Sequence, residues 1–312
     1  MMRYKIIANP AAGHGNGLRA IPKIERALTK HGLAYELVRT ERPWHAAEIT
    51  RQSAAEGYDV IVAAGGDGTV NEVINGLMLS RQAQGHSPAL GVLCTGRGND
   101  FASSVGIPED LEQACQVLAA GRRRPIDIGR VSGGNYPQGR FFGNCVGVGF
   151  DAITTIEVAK MPRWGGFLSF LAAVLKTAFI YNKAPLATIE YGQHTLTQRS
   201  LMISMMNGRQ LGDGFIMAPD SKPDDGLLDL CIAEQVTPLR IFEMVPHFMR
   251  GDQATQREIK TGRAAHIRIT SQDGPLPAQT DGEIICTDGS YLEIELLPLQ
   301  LEIICQGAQR DK

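Results

Sequence analysis

An apolar run from Tyr58 to Ala64 gives way to Gly65-Gly66-Asp67-Gly68, after which Val70, Val73, Ile74, Leu77 and Met78 recur at helical spacing. A short continuous apolar run suits a strand buried on both faces, so this stretch predicts strand, glycine turn and helix in that order. Thr69 and Glu72 fit a capping box that would fix where the helix starts. The same switch recurs along the first hundred residues. Tyr4 to Ala8 predicts a strand, Asn9 to Gly17 a glycine-rich turn, and Leu18, Ile21, Ile24 and Leu28 the apolar stripe of a helix. A strand from Tyr35 to Thr40 precedes a helix from Pro43 to Glu56. A strand from Ala89 to Cys94 precedes the turn Thr95 to Phe101 and a helix from Glu109 to Ala119. Four such alternations predict an α/β fold: an N-terminal open parallel sheet with flanking helices and its ligand at the C-terminal strand ends. Three glycine turns on one sheet would meet at that edge.

After Arg122-Arg123-Arg124 the pattern changes to short strands punctuated by Gly, Pro and Asp: Phe141–Val148, Ala187–Tyr191, Ser200–Met206, Leu227–Ala233, Ala265–Ile269, Tyr291–Leu296 and Leu301–Cys305. Helical stretches interrupt them near Ala152–Lys160, Phe167–Tyr181 and Pro238–Met249. The second lobe is therefore expected to be a mainly antiparallel β domain. Residues 1–130 form the expected α/β domain and 131–305 the expected β-rich domain, with 306–312 a tail and the last strand allowed to return to the first domain.

A length of 312 residues suits two lobes, since one hydrophobic core would be near its size limit. Thirty-one Lys and Arg against thirty-three Asp and Glu leave a net charge of −2 without a basic block, which argues against nucleic acid as a partner. The six cysteines form no C-x-x-C pair and sit mostly in apolar runs, as reduced core residues of a cytosolic protein would. No apolar run reaches the ~20 residues that span a bilayer, and the chain enters its first strand with no signal-peptide pattern. A cytoplasmic protein is expected.

The chemistry concentrates in the glycine turns. Glycines let backbone N–H groups approach an anion at the positive end of the following helix. Asp67 would repel a phosphate unless a divalent cation lay between them, so it predicts a metal-nucleotide ligand; a plain strand-to-helix turn is the alternative. The turn after Asn9 lacks the Gly-Lys-Ser/Thr ending of a P-loop.

Six motifs in register then resemble one family. They are Gly65-Gly66-Asp67-Gly68-Thr69-x-Asn71-Glu72, Gly98-Asn99-Asp100-Phe101-Ala102, Asp127-Ile128-Gly129, Gly212-Asp213-Gly214, Asp225-Gly226-Leu227-Leu228-Asp229 and Asp281-Gly282-Glu283. Over almost its whole length the chain resembles bacterial lipid kinases of the diacylglycerol-kinase catalytic-domain family, which share a core with sphingosine kinases and, more distantly, NAD kinases. The resemblance implies ATP bound between the two domains with Mg²⁺, and γ-phosphoryl transfer to a lipid hydroxyl. It implies nucleotide contacts at Asn9, Thr40, Gly65, Gly66, Asp67, Gly68, Thr69, Val70, Asn71, Gly96 and Arg97. Asp67, Asp100 and Asp127 would hold the catalytic Mg²⁺, directly or through water. Lys222, Asp225 and Leu227 would hold a structural Mg²⁺, with Ca²⁺ or another divalent ion as the alternative there.

Glu283 would take the proton of the lipid hydroxyl with Asp281 as its partner, the reverse assignment remaining open. On this reading Asp67 and Glu283 face one another across a single cleft. Read from the residues alone, Asp100 is also a helix N-cap, Asp127 a turn residue, Pro223 to Gly226 a turn and Asp281-Gly282 a hairpin turn. One departure stands out. The family's Gly-Thr-x-Asn-Asp-Phe reads Gly96-Arg97-Gly98-Asn99-Asp100-Phe101 here, and its upstream proline is Cys94. Arg97 is suited to grip a phosphate bidentately or to bond a nearby carboxylate.

From Trp164 to Ile180 the chain is apolar except for Lys176, with Lys160, Arg163 and Lys183 flanking. It either lines a lipid entrance, lies on an anionic membrane surface, or is a buried core helix. The leading expectation is a lipid kinase peripheral to the inner face of the membrane, with a homodimer left open. The alternatives are a kinase of a soluble hydroxylated substrate such as NAD, and a non-catalytic nucleotide-binding regulator.

Overall fold

The computed structural model describes residues 2–96, 98–161, 166–181, 183–212 and 214–306, and the side chains of 166–168 are not among what it describes. Arg97, Arg163, Trp164, Asp213 and the expected tail after residue 306 lie outside the described residues. The chain divides into two units, residues 1–128 with 298–312, and residues 129–297.

The first unit alternates as its apolar runs require. In order come β1 (Arg3–Ala8), α1 (Ala12–Lys30), β2 (Ala34–Arg39), α2 (His45–Ala55), β3 (Val60–Gly65), α3 (Asp67–Gln84), β4 (Ala89–Cys94), α4 (Asp100–Ser104), α5 (Leu111–Ala120) and the start of β5 (Arg123–Gly133). The sheet is parallel in the order β2-β1-β3-β4, and the closing strand of the chain, Tyr291–Ile304, joins it beside β4. Tyr4, Ile6, Val60 and Val62 pack with Ile21, Ile24 and Leu28 of α1 and Leu118 of α5. Successive strand residues point to opposite faces, so the equally buried Ile7, Ile61 and Ala63 take the other side, where α2 and α3 pair. Each fully buried branched side chain contributes about 1.5–3 kcal/mol. The strand order reverses between β1 and β3, which leaves a crevice outside the carboxyl ends of those two strands.

Two local expectations fail. Leu18 is half exposed, because Gly13, His14 and Gly15 are left-handed at φ 55°, 58° and 91° and the regular helix starts only after them. The capping box does not form either. α3 begins at Asp67 without a side-chain cap, Thr69 Oγ1 accepts from Asn9 Nδ2 at 3.0 Å, and Glu72 Oε2 instead accepts from Ala46 N at 3.0 Å, capping α2.

The second unit carries β6 (Tyr136–Phe142), β7 (Cys145–Gly149), α6 (Phe150–Lys160), α7 (Gly166–Ile180), β8 (Leu186–Tyr191), β9 (His194–Met206), β10 (Gln210–Leu211), β11 (Phe215–Ile216), β12 (Leu228–Glu234), α8 (Pro238–Arg250), β13 (Ile259–Ala264), β14 (His266–Ser271), β15 (Leu276–Thr280), β16 (Glu283–Gly289) and the first half of β17, the closing strand. The pairings among β5 to β9 and β12 to β17 described within it are antiparallel. Strand β9 pairs through its first half with β8 and through its second with β7 and β12, so it belongs to two sheet layers. Val146, Val148, Ile203, Met205, Leu230 and Ile232 of one layer share a core with Ile189, Ile267, Ile269, Leu292 and Ile294 of the other. The opposite face of β7, β9 and β12 packs under the helices, through Cys145, Met202, Met206 and Cys231 against Phe150, Val174, Ala178, Ile241 and Met244.

The expected strand Phe141–Val148 is two strands, broken at Gly143-Asn144. The expected pair Tyr291–Leu296 and Leu301–Cys305 is one strand that passes Pro298 with Leu299 at φ 51°. All six cysteines are buried thiols. Burial pushes the Cys94 and Cys231 thiols up to about 12 and Cys115 to about 11, so they are inert at neutral pH.

Candidate functional site

In the first unit the three glycine turns meet. A Cβ on Gly96 would lie 2.4 Å from the Cα of Gly66, and one on Gly13 would lie 2.6 Å from the carbonyl oxygen of Thr95. Only glycine permits both approaches. Gly65 O accepts from Thr95 N at 3.0 Å and Gly96 N at 3.2 Å, and Asn9 N donates to Ala64 O at 2.9 Å. Asn9 Oδ1 also closes its own turn on Ala11 N at 3.0 Å. Thr40 follows β2 and donates its N–H to Ala8 O at 2.9 Å. Asn9, Thr40, Gly65, Gly66 and Gly96 therefore gather at the switch point, around the start of α3. There Asp67, Gly68 and Thr69 occupy the first turn, whose N–H groups lack partners within the helix and carry its positive end. Val70 and Asn71 point inward instead. Val70 is core, and Asn71 is fully buried beside Asn75, whose Nδ2 donates to Asn71 O at 2.8 Å. They can offer a ligand little beyond backbone.

Asp67 accepts from Asp100 N at 3.3 Å and from Phe101 N at 3.1 Å, so its carboxylate caps α4. Asp100 is the first residue of α4, after Asn99 at the N-cap, and is buried. Asp127 lies within β5 rather than in a turn, fully buried, and accepts from Leu299 N at 2.8 Å, holding the left-handed residue of the closing strand. Among the described residues no three His, Cys, Asp or Glu side chains gather tightly enough to enclose a metal. Carboxylate oxygens engaged by backbone N–H groups suit an ion that keeps most of its water and takes few protein ligands. That is how Mg²⁺ binds, so the donor set fits Mg²⁺ held through water and not a protein cage.

In the second unit Asp281-Gly282 forms the two-residue turn between β15 and β16, with φ 45° and 82°, as a type I′ hairpin requires. The Asp281 carboxylate accepts from Gly143 N at 2.9 Å, Asn144 N at 3.0 Å and Cys145 N at 2.9 Å. These bonds explain the break between β6 and β7. Two residues on, Glu283 opens β16 and is exposed.

Lys222, Asp225 and Leu227 lie in the turn that leads into β12. Asp225 accepts from Leu227 N at 3.1 Å and forms an ion pair with Arg263, which also reaches Asp229 Oδ1 at 3.1 Å. One guanidinium is shared between the two carboxylates, so Arg263 offsets only part of their charge.

Sequence reasoning missed three supporting residues. Gln279 is fully buried and accepts from Gly282 N at 2.9 Å, and Asn207 donates to Gly143 O at 2.8 Å. Asp151, buried in the first turn of α6, accepts from Ser204 Oγ, and burial pushes its carboxyl up to about 6. Gln279 sits in β15, which leads into the Asp281 turn, and Asn207 directly follows β9; at both places sequence offers no signal but an amide next to an apolar run. Gly129 has a plain steric reason, since a Cβ there would fall 2.0 Å from the Phe142 ring.

Comparison with known proteins agrees with this layout. Residues 3–131 match the diacylglycerol kinase catalytic domain, and residues 144–305 match the YegS C-terminal NAD kinase beta sandwich-like domain. The chain is 29% identical over 286 residues to a diacylglycerol kinase of Bacillus subtilis, covering 91% of this chain and 90% of the relative. It is 24% identical over 300 residues to one of Mycobacterium tuberculosis, covering 96% and 93%. A diacylglycerol kinase crystal structure from Bacillus anthracis superposes with TM-score 0.72 at 22% identity, covering 98% and 97%. An NAD kinase of Archaeoglobus fulgidus in complex with ATP shares the fold at TM-score 0.53 and 15% identity, covering 98% and 94%.

Proposed function

Because the chain belongs to the diacylglycerol kinase catalytic-domain family and is thereby an ATP-dependent kinase with an alcohol acceptor, we propose that it transfers the γ-phosphoryl group of ATP to a lipid hydroxyl at a membrane surface. The observation that carries this reading is the meeting of three glycine turns at the start of α3, with Asp67 on its first turn. Backbone N–H groups there receive the phosphates. Asp67, with Asp100 and Asp127, would hold a Mg²⁺ ion, which would supply charge neutralisation to the phosphates. Phosphoryl transfer needs such positioning and neutralisation more than covalent help.

The acceptor hydroxyl needs a base. Asp281 has its oxygens taken by three N–H groups, whereas Glu283 is exposed at the end of the same turn. This supports Glu283 as the base and Asp281 as the residue that positions it. The relatives' names point to a diacylglycerol-type acceptor. Total lipid incubated with ATP and Mg²⁺ should yield a phosphorylated lipid by mass spectrometry with the wild type and none with Glu283→Ala. NAD, offered in parallel, should remain unmodified. A phosphorylated NAD and unchanged lipids would overturn the reading.

A further inference from the structure

Helix α7 buries Ala173, Val174, Thr177 and Ala178 and turns Leu175, Lys176, Phe179 and Ile180 outward. The outward face of a surface helix is ordinarily polar. Here Phe179 is 62% exposed and Ile180 52%, and the Phe179 ring lies 5.6 Å from that of Phe242 on α8. Leu239, three residues before Phe242 and so on the same face of α8, is 69% exposed. Single exposed apolar residues are ordinary, but Leu175, Phe179, Ile180, Leu239 and Phe242 lie on adjoining turns of two touching helices.

Charge identifies what covers this patch. From Val158 to Lys183 the chain has Lys160, Arg163, Lys176 and Lys183 and no acidic residue, in a protein whose net charge is −2. Lys160 and Lys176 share one carboxylate, Glu157, at 2.7 and 2.5 Å, so that cluster keeps a positive excess. On the α8 side Arg240 lies between Glu243 at 3.0 Å and Glu258 at 3.1 Å, and Arg257 also reaches Glu258 at 3.1 Å, so that cluster is balanced and the positive excess belongs to the α7 side. An apolar face flanked by cations is suited to the boundary between headgroups and acyl chains of an anionic bilayer.

We propose that the outward face of α7, with the first turns of α8, is the surface by which this protein seats itself on anionic lipid bilayers. The inference deepens the lipid-kinase reading and rests on it for the reason to visit a membrane. Among the described residues no helix is long and apolar enough to cross one, so contact by these helices would be superficial.

Co-sedimentation without ATP tests the surface by itself. Wild-type protein should pellet with vesicles of phosphatidylcholine and phosphatidylglycerol, less with phosphatidylcholine alone, and be released by salt. Phe179→Ser/Ile180→Ser/Leu239→Ser should weaken binding by about tenfold or more, and Lys176→Gln/Lys183→Gln should weaken it only on anionic vesicles. An unchanged melting temperature shows that the variants fold; should the Phe179 change disturb Phe242, Leu239→Glu alone is the second variant. Equal vesicle binding by wild type and variants would overturn the proposal, as would a wild type that ignores anionic vesicles and dimerises through the patch. Because no turnover is measured, failure of the kinase reading would appear separately, as vesicle binding without phosphorylated lipid.

Discussion

At the scale of single residues, the two carboxylates of Asp281-Gly282-Glu283 divide structure from chemistry. Removing the Asp281 side chain strands three backbone N–H groups in a buried setting. Asp281→Ala should therefore lower stability by about 2–4 kcal/mol in urea titrations, while Glu283→Ala stays within about 0.5 kcal/mol. The sequence marked both residues but left open which is the base and whether Asp281-Gly282 is only a hairpin turn, because a turn and a reactive carboxylate share the same letters. Asp151 carries a pH signature. Its carboxyl is raised by burial from 3.8 to about 6, so between those values the folded chain holds a proton the unfolded chain has lost. Its contribution to stability thus falls as pH rises from about 4 to 6 and stays low above. Asp151→Asn should raise the melting temperature at pH 8, by at most about 3 kcal/mol in stability, with the gain vanishing near pH 4.

Among elements, the βα units were the most legible. The run into β3 and the stripe on α3 place apolar residues where a doubly covered parallel sheet needs them, and every stripe residue of α3 is buried. What failed was a cap. Thr69-x-x-Glu72 satisfies the local rule for a capping box, yet both side chains find partners from other elements, Asn9 and Ala46. Glu72→Ala should accordingly cost about 1 kcal/mol by uncapping α2, and amide hydrogen exchange should speed up in the first turn of α2 and not in that of α3. Strands β13, β15 and β16 escaped the sequence pattern for a related reason. Leu276–Thr280 is buried at all five positions, polar ones included, so it shows no alternation.

For the whole molecule, the closing strand matters most. Its end pairs beside β4, buries Leu301, Ile303 and Ile304, and places Leu299 N on Asp127. Truncation after Leu297 should strip these contacts from the first unit and leave an insoluble or partly unfolded chain, read by soluble yield and a lost cooperative melt. Division of the chain at residues 128 and 297 could not be read from either strand alone, since β5 and β17 each run through a boundary without a break in pattern. The amino-acid sequence by itself determined the alternating units, the three glycine turns and the carboxylates within them, because strand and helix periodicity and the steric freedom of glycine act over a few neighbouring residues. The tertiary structure alone decided which N–H groups each carboxylate holds, that Arg263 pairs with Asp225, and that α7 keeps an apolar face outward. Those outcomes depend on partners tens to hundreds of residues away, and no local pattern encodes such distances.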